Sequence, residues 1–319
     1  MSGARPVRRS AAHPAHPTLA GVHGVLVVDK PAGPTSFEVV AAVRRLFGAA
    51  KAGHTGTLDP RATGVLAVCL GDGVKLQQFL CEGDKAYQAV IHFGAATTTQ
   101  DGEGEITARG DPFRLDAPRI AEALRGFLGT IEQVPPMYSA VRVEGRRLHE
   151  AARAGLYVER TPRAVRIEAL DLTDLRSEGE ALVATVVVHC GKGTYVRTLA
   201  ADLGEAVGVP AHLAALRRLA AGPFHLDQAI ALEDAERLAA TDPQALAGRL
   251  VPLDAALPHW PAIRLDASGV CDIGHGKAVA VDGVPKGPCR ALDSQGRLVA
   301  VCEGRGGRLR PIRVLRPIR

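Results

Sequence analysis

Residues 181–208, "ALVATVVVHCGKGTYVRTLAADLGEAVG", decide the fold. Their first part is a β-branched, apolar run that reads as a buried strand, and "GKGT" breaks it. From Val196 onward Leu199, Leu203 and Val207 recur at helical spacing, so the segment is strand, loop and helix, with Arg197 in the first helical turn. Working outward, "KAYQAVIHFG" (85–94) alternates, with Tyr87, Ala89, Ile91 and Phe93 on one face, and predicts a half-buried strand. "GVLVVDKP" (24–31) is a short apolar strand stopped by a proline turn, and "GVLAVCLG" (64–71) a buried strand. Helices are expected in "TSFEVVAAVRRLFG" (35–48), "GVKLQQFLC" (73–81) and "RIAEALRGFLG" (119–129). The first has Ser36 as N-cap, an apolar face through Phe37, Val40, Val43 and Phe47, and Gly48 at its end. "YSAVRVEGRRLHEAARAG" (138–155) reads as strand, turn and helix. Strands and helices mix without the regular alternation of a parallel sheet, which makes the chain α+β.

The 319 residues allow two domains. Residues 1–22 lack periodicity and read as a disordered tail. "LVPLDAALPHWPAIRL" (250–265) carries three prolines, and short strands and turns dominate beyond it. This divides the chain into a main domain, 23–250, and a small, basic, β-rich module, 251–319. A formal charge of +5 leans toward an anionic partner, nucleic acid among the candidates. Six cysteines without a C-x-x-C pair suggest neither a zinc site nor a disulfide framework and read as buried thiols of a reducing compartment. No apolar run reaches the ~20 residues that cross a bilayer, and the expected location is the cytoplasm.

The remaining question is the turn "GHTGTLDP" (53–60). Its glycines allow close backbone approach, Pro60 stiffens the residue after Asp59, and Thr55 and Thr57 can bond local backbone. Asp59 either caps an Asx-turn or does chemistry. The overlap of "HTGTLD" with the "DKTGT" of phosphoryl-transferring pumps is superficial: no Asp precedes the TGT, and nearby carboxylates for Mg²⁺ are lacking. A nucleophilic or proton-abstracting carboxylate has to stay ionised where water is scarce, which calls for a cation such as Arg197, able to hold it by two parallel hydrogen bonds. Taken alone, Arg197 could be a surface arginine, and Tyr87 a core tyrosine.

In order and spacing, "AGHTGTLDPRATGVLAVCLGDGVK" (52–75), "DKAYQAVIHFG" (84–94), "PPMYSAVRVEGRRLHEAARAG" (135–155) and "GKGTYVRTLAADLG" (191–204) resemble the TruB family of tRNA pseudouridine synthases. The resemblance covers about residues 24–225 and implies a catalytic domain with a mixed, largely antiparallel sheet and flanking helices. More weakly, with "GRLVAV" (296–301) as the best segment, it implies a C-terminal PUA-like RNA-binding domain.

The resemblance implies that Asp59 is the catalytic aspartate, that Tyr87 stacks on the target base and helps to move a proton, and that Arg197 pairs with Asp59. It implies further that Lys30, Pro31, His54, Tyr195 and Leu219 flank or line the substrate pocket. The reaction implied is isomerisation of a uridine in the T-loop of tRNA, position 55, with no redox cofactor and no metal. The base is flipped into the pocket, which costs a few kcal/mol of unstacking. Phosphate contacts would offset this, with Lys30, Lys75, Arg142, Arg146, Arg147, Arg153 and "GRGGRLRPIRVLRPIR" (304–319) as candidates. The expected partner is the tRNA T-arm, met by a monomer without guide RNA and without a membrane. A departure is "TTT" at 97–99 where many members carry "TDT", with Asp101 just downstream at the family's acidic position. A protein that only binds or folds RNA is the competing reading, and it would not need Asp59, Tyr87 and Arg197 together.

Overall fold

The computed structural model describes residue 19 and residues 21–137, 142–143, 146–147 and 158–315. A large sheet forms from β1 (Gly24–Lys30), β2 (Ala52–His54), β3 (Thr63–Leu70), β4 (Lys85–Phe93), β5 (Gly129–Gln133), β6 (Arg163–Glu178), β7 (Ala181–Cys190), β8 (Ala211–Ala221), β9 (Phe224–His225), β10 (Ile230–Ala231) and β11 (Leu250–Val251). Its main path is β10-β1-β3-β8-β4-β7-β6-β5, with β2 on β3, β9 on β8 and β11 on β1. Only β1 with β10 and β8 with β3 run parallel; the other pairs are antiparallel. The mixed, largely antiparallel α+β fold expected from the sequence is therefore present.

The continuous apolar runs of β1 and β3 have a direct cause: both faces of these strands are covered. Leu26, Val28, Leu66, Val68 and Leu70 pack with Val39, Val43 and Phe47 of the helix α1 (Ser36–Leu46) and its end. Val25, Val27, Val65, Ala67 and Cys69 face the other way, onto Leu292, Leu298, Val301 and Leu315 of the C-terminal module. β4 has one covered face, and its alternation holds: Tyr87, Ala89, Ile91 and Phe93 join Val186 and Val188 of β7 in the core. The helix α3 (Val196–Val207) lays Leu199, Leu203 and Val207 on that core, as its spacing predicts, and Gly208 ends it in the left-handed conformation.

Other expectations are corrected. Thr35, not Ser36, caps α1, in a capping box with Glu38. Ser36 is the first helical residue, buried, because its hydroxyl is needed elsewhere (below). Phe37 is 77% exposed and lies off the buried face, which runs through Val39, Val40, Val43 and Leu46. The helix expected over 73–81 is a 3-10 turn, Gly71–Leu76, followed by the single α-turn α2 (Gln77–Leu80). Within 138–155, Arg142–Val143 pairs antiparallel with Arg146–Arg147; the expected helix after it, with Arg153, lies outside the described residues. At the other end, Leu19 is fully buried with Val22 packed beside its cluster, so the last part of the expected tail belongs to the core. Residues 1–18 lie outside the described residues.

The module carries a second sheet of β12 (Ala262–Arg264), β13 (Val279–Ala280), β14 (Gly287–Leu292), β15 (Leu298–Arg305) and β16 (Arg308–Val314), ordered β12-β14-β15-β16-β13. Cys69, Cys190, Cys289 and Cys302 are buried free thiols as expected, but Cys81 is half-buried and Cys271 exposed. Burial pushes the thiols of Cys69 and Cys302 up to about 12. Among the described residues no helix is long and apolar enough to cross a membrane.

β3 and β8 approach closely at Gly64, whose φ is +98°; a Cβ there would lie 2.2 Å from the carbonyl oxygen of Arg218. Gly64→Ala is expected to cost about 3 kcal/mol or more, since it adds a backbone clash to a strained conformation. Urea unfolding checks this, and an unchanged midpoint would refute it.

Candidate active site

The turn between β2 and β3 carries Asp59, and buried groups hold its backbone from several sides. The Ser36 hydroxyl donates to the carbonyl of Leu58 and accepts from the Leu58 N–H, at 2.9 and 2.8 Å. Lys30, fully buried, donates from Nζ to the carbonyls of Pro31, Pro60 and Ala62 at 2.8–2.9 Å. Arg218, 1% exposed, donates from Nε to the carbonyl of Val65 and from its two Nη atoms to those of Gly56 and Thr57. Few of these contacts could be read locally, since the donors sit on β1, α1 and β8. Together they answer why a lone carboxylate occupies so stiff a turn: the backbone under Asp59 has little freedom, so the side chain is delivered to one place.

That place faces Arg197. Its Nε lies 3.2 Å from Asp59 Oδ2, and its Nη1 lies 3.2 Å from Asp101 Oδ2. Arg197 does not grip Asp59 by two parallel bonds; its fork is divided between two carboxylates. The Arg197 side chain is 9% exposed and that of Asp101 18%, while Asp59 is 47% exposed and reaches into the open space beyond. The "TTT" departure has a local use: Thr99 Oγ1 donates to Asp101 Oδ1 at 2.5 Å, and Thr97 Oγ1 to the Asp101 carbonyl at 2.6 Å. Asp101 is thus oriented before it meets Arg197. Asp101→Asn is expected to slow the chemical step about 10-fold with little effect on folding, because Arg197 loses a carboxylate charge that anchors it. Single-turnover kinetics checks this, and an unaltered rate would count against the shared fork.

Asp59 and Arg197 line a cavity of about 640 Å³ together with Lys85, Tyr87, Asp101, Tyr195, Leu216 and Arg218. Tyr87 is 9% exposed, and burial raises its phenol above the ordinary range while the Arg218 charge works against this. The backbone of Tyr195 is braced on both sides by Gln133, whose side chain accepts from its N–H and donates to its carbonyl. The cavity therefore puts a fixed carboxylate, a phenol and several cations around one space.

Three family descriptions match the chain: "TruB family pseudouridylate synthase (N terminal domain)" over residues 44–196 and "tRNA pseudouridylate synthase B C-terminal domain" over 197–258, which between them hold Asp59, Tyr87, Tyr195, Arg197 and Arg218, and "tRNA Pseudouridine synthase II, C terminal" over 260–316. The chain belongs to the TruB family of pseudouridylate synthases. It is 46% identical over 298 residues to a protein of Pseudomonas aeruginosa (strain UCBPP-PA14) named tRNA pseudouridine synthase B, covering 92% of this chain and 96% of that one. A protein of the same name from Symbiobacterium thermophilum is 51% identical over 260 residues, covering 82% and 84%. Among solved structures, a chain of a Cbf5-Nop10-Gar1 complex superimposes with a TM-score of 0.69 at 28% identity, over 92% of this chain and 85% of that one. A chain of an H/ACA RNP bound to a substrate RNA containing 2'-deoxyuridine gives 0.70 at 26% identity, with the same coverage.

One cavity gathers Asp59, Tyr87, Tyr195 and Arg197. The other four expected residues lie on β8 or around the turn. Leu219 is half-buried and is not part of the lining; Leu216 is. Pro31 is exposed outside the cavity and offers its carbonyl to Lys30. His54 stands at the edge of the turn, half-buried, and its Nδ1 accepts from the Gly56 N–H at 3.2 Å. Burial and the charge of Arg218 lower its pKa, so it stands as the neutral ring with hydrogen on Nε2. Lys30 lies wholly beneath the turn and has no surface for a phosphate. Two residues that sequence reasoning did not single out, Arg218 and Gln133, are buried polar groups in strands. For Arg218 the signal was an arginine pair, Arg217–Arg218, set between the apolar runs Leu213–Leu216 and Leu219–Ala221.

Burial lowers the Lys30 ammonium to about 8, against the attraction of Asp59. The unfolded chain holds that proton to ~10.4, so between these values it binds more protons than the folded protein, and unfolding free energy rises with pH across the window. The stability difference between wild type and Lys30→Met should therefore grow in favour of wild type from pH 8 to 10. A difference that is flat or shrinks over this range would refute the assignment.

Proposed function

We propose that this TruB-family enzyme converts a uridine in the T-loop of tRNA, position 55, to pseudouridine, with Asp59 as the group that meets the sugar or base. The names of its relatives, tRNA pseudouridine synthase B, support the substrate class. The observation that carries the mechanism is the pinned Asp59 carboxylate facing Arg197 across from Tyr87 in one cavity. In the reaction the N1–C1′ bond breaks, the uracil turns, C5 bonds to C1′, and the C5 hydrogen leaves as a proton while N1 gains one. Attack at C1′, attack at C6, or abstraction at C2′ all require a carboxylate that is ionised and immobile. The stiff turn and the divided fork of Arg197 hold the Asp59 carboxylate in place for any of these.

The target base is flipped out of its stack into the cavity, where Tyr87 and Tyr195 offer rings to it. Basic groups hold the RNA backbone: a second groove of about 820 Å³ runs between the catalytic part and β16, lined by Lys51, Lys75 and Arg313, and shares Cys81 with the cavity. In this reading residues 23–250 are the catalytic unit and 251–319 a PUA-like RNA-binding domain. The protein works in the cytoplasm as a monomer, without cofactor, metal or guide RNA. Incubation with an unmodified tRNA transcript tritiated at uridine C5 tests the activity. Tritium release to water is expected; tight tRNA binding without release would sink the proposal.

A further inference from the structure

Among the described residues four cations line the cavity, and three of them are committed inside the fold. Arg197 divides its fork between Asp59 and Asp101, Arg218 donates to the carbonyls of Gly56, Thr57 and Val65, and Lys85 donates to those of Cys81 and Gly83. Lys192 differs. Its ammonium pairs with the carboxylate of Glu82, 110 residues away in the chain, and the two side chains are 61% and 60% exposed. An ion pair open to water on both sides is worth at most about 1 kcal/mol, so its partners exchange readily. The backbone around Lys192 is held more firmly: the Gly191 N–H donates to the Arg166 carbonyl, and the Thr194 hydroxyl donates to the Gly191 carbonyl. The ammonium can therefore change partners while the loop stays in place. Glu82 follows Cys81, and Cys81 lines both the cavity and the basic groove beside it. The pair thus stands where the two spaces meet, at the point where a strand laid in the groove enters the cavity. A carboxylate there repels a polyanion, so its use lies in the free protein.

Resting on the function proposed above, we propose that Lys192 binds a backbone phosphate next to the flipped nucleotide, and that Glu82 is the counter-ion this phosphate displaces. A phosphodiester carries one negative charge, so the ammonium stays balanced before and after the exchange. A lysine suits the task, since it meets phosphate as a point charge on a flexible stem and needs no fixed fork.

The test is filter binding of a T-arm RNA hairpin in which one phosphate, 5′ or 3′ of the target uridine, is replaced by an uncharged methylphosphonate. In wild type one of the two replacements should weaken binding about 10-fold, the size of one charge-assisted contact. K192M should bind ordinary RNA about 10-fold more weakly, with the slope of log Kd against log salt smaller by about 1. The same replacement should then cost K192M less than about two-fold, because the two partners act through one contact. E82Q should bind ordinary RNA about three-fold more tightly than wild type, since no carboxylate competes for the ammonium, and the gain should vanish on the RNA with that replacement. A pair that merely ties two loops together predicts the reverse. E82Q would then bind no tighter than wild type, and each methylphosphonate would cost wild type and K192M alike; either result would overturn the proposal. The readout needs no catalysis. Wild type that binds the RNA and releases no tritium would refute the proposed function instead, and the binding comparisons would still decide the exchange.

Discussion

Replacing Asp59 with asparagine stops tritium release and leaves the protein folded and able to hold tRNA. The loss should be at least about 10⁴-fold, because the variant lacks the carboxylate that faces Arg197 and can attack or abstract, while Glu103, the other exposed carboxylate of the lining, is paired with Arg61. Asp101 is the nearest alternative, but it is 18% exposed, with Thr99 on one oxygen and Arg197 on the other. Folding is spared for a reason visible in the turn. The bonds from Lys30, Ser36 and Arg218 go to backbone atoms of the turn, and none uses the Asp59 side chain. Its ion pair is half-exposed on the carboxylate side, and such pairs are worth at most about 1 kcal/mol. Single-turnover kinetics beside filter binding separates the two effects. A variant that keeps one hundredth of the rate would show that the carboxylate is dispensable.

Arg197→Lys has the second-largest effect, and it falls on both rate and stability. The rate should drop about 10²- to 10³-fold. The guanidinium reaches Asp59 with Nε and Asp101 with Nη1 at once, whereas a lysine offers one point charge and must choose. If it stays with the more buried Asp101, Asp59 loses the cation that aims it. Stability should fall by about 2–4 kcal/mol, since a poorly solvated carboxylate is left with an imperfect partner. Urea unfolding and single-turnover rates measure the two losses. A stable variant with nearly normal rate would contradict the divided-fork geometry.

Where burial follows from local pattern, the sequence was a good guide. β4 alternates because one face is covered, α3 keeps a single apolar stripe, and Val25–Val28 of β1 and Val65–Leu70 of β3 are apolar runs because α1 and the C-terminal module cover both of their faces. Where contacts come from far along the chain, pattern was not enough. Thr35 and Ser36 are both good N-caps, and only the distant Leu58 backbone decides that Ser36 is drawn inward and Thr35 does the capping. Leu219, expected in the pocket from the likeness of its motif to the family's, stands half-buried outside the lining: β8 has an irregularity between Arg218 and Ala220, with Arg218 opposite Tyr87 and Ala220 opposite Ala86, which leaves Leu219 as an extra residue in the register with β4. Leu216, opposite Ala89, takes the cavity position instead. The role of Asp101 is a pairing across 96 residues that no local spacing encodes.

The most direct test of the account is to incubate wild-type protein with unmodified tRNA, label pseudouridine with a carbodiimide, and read the adduct by primer extension. The account predicts one new stop, at the T-loop uridine of position 55, absent without enzyme. No stop, or stops only at other uridines, would contradict it.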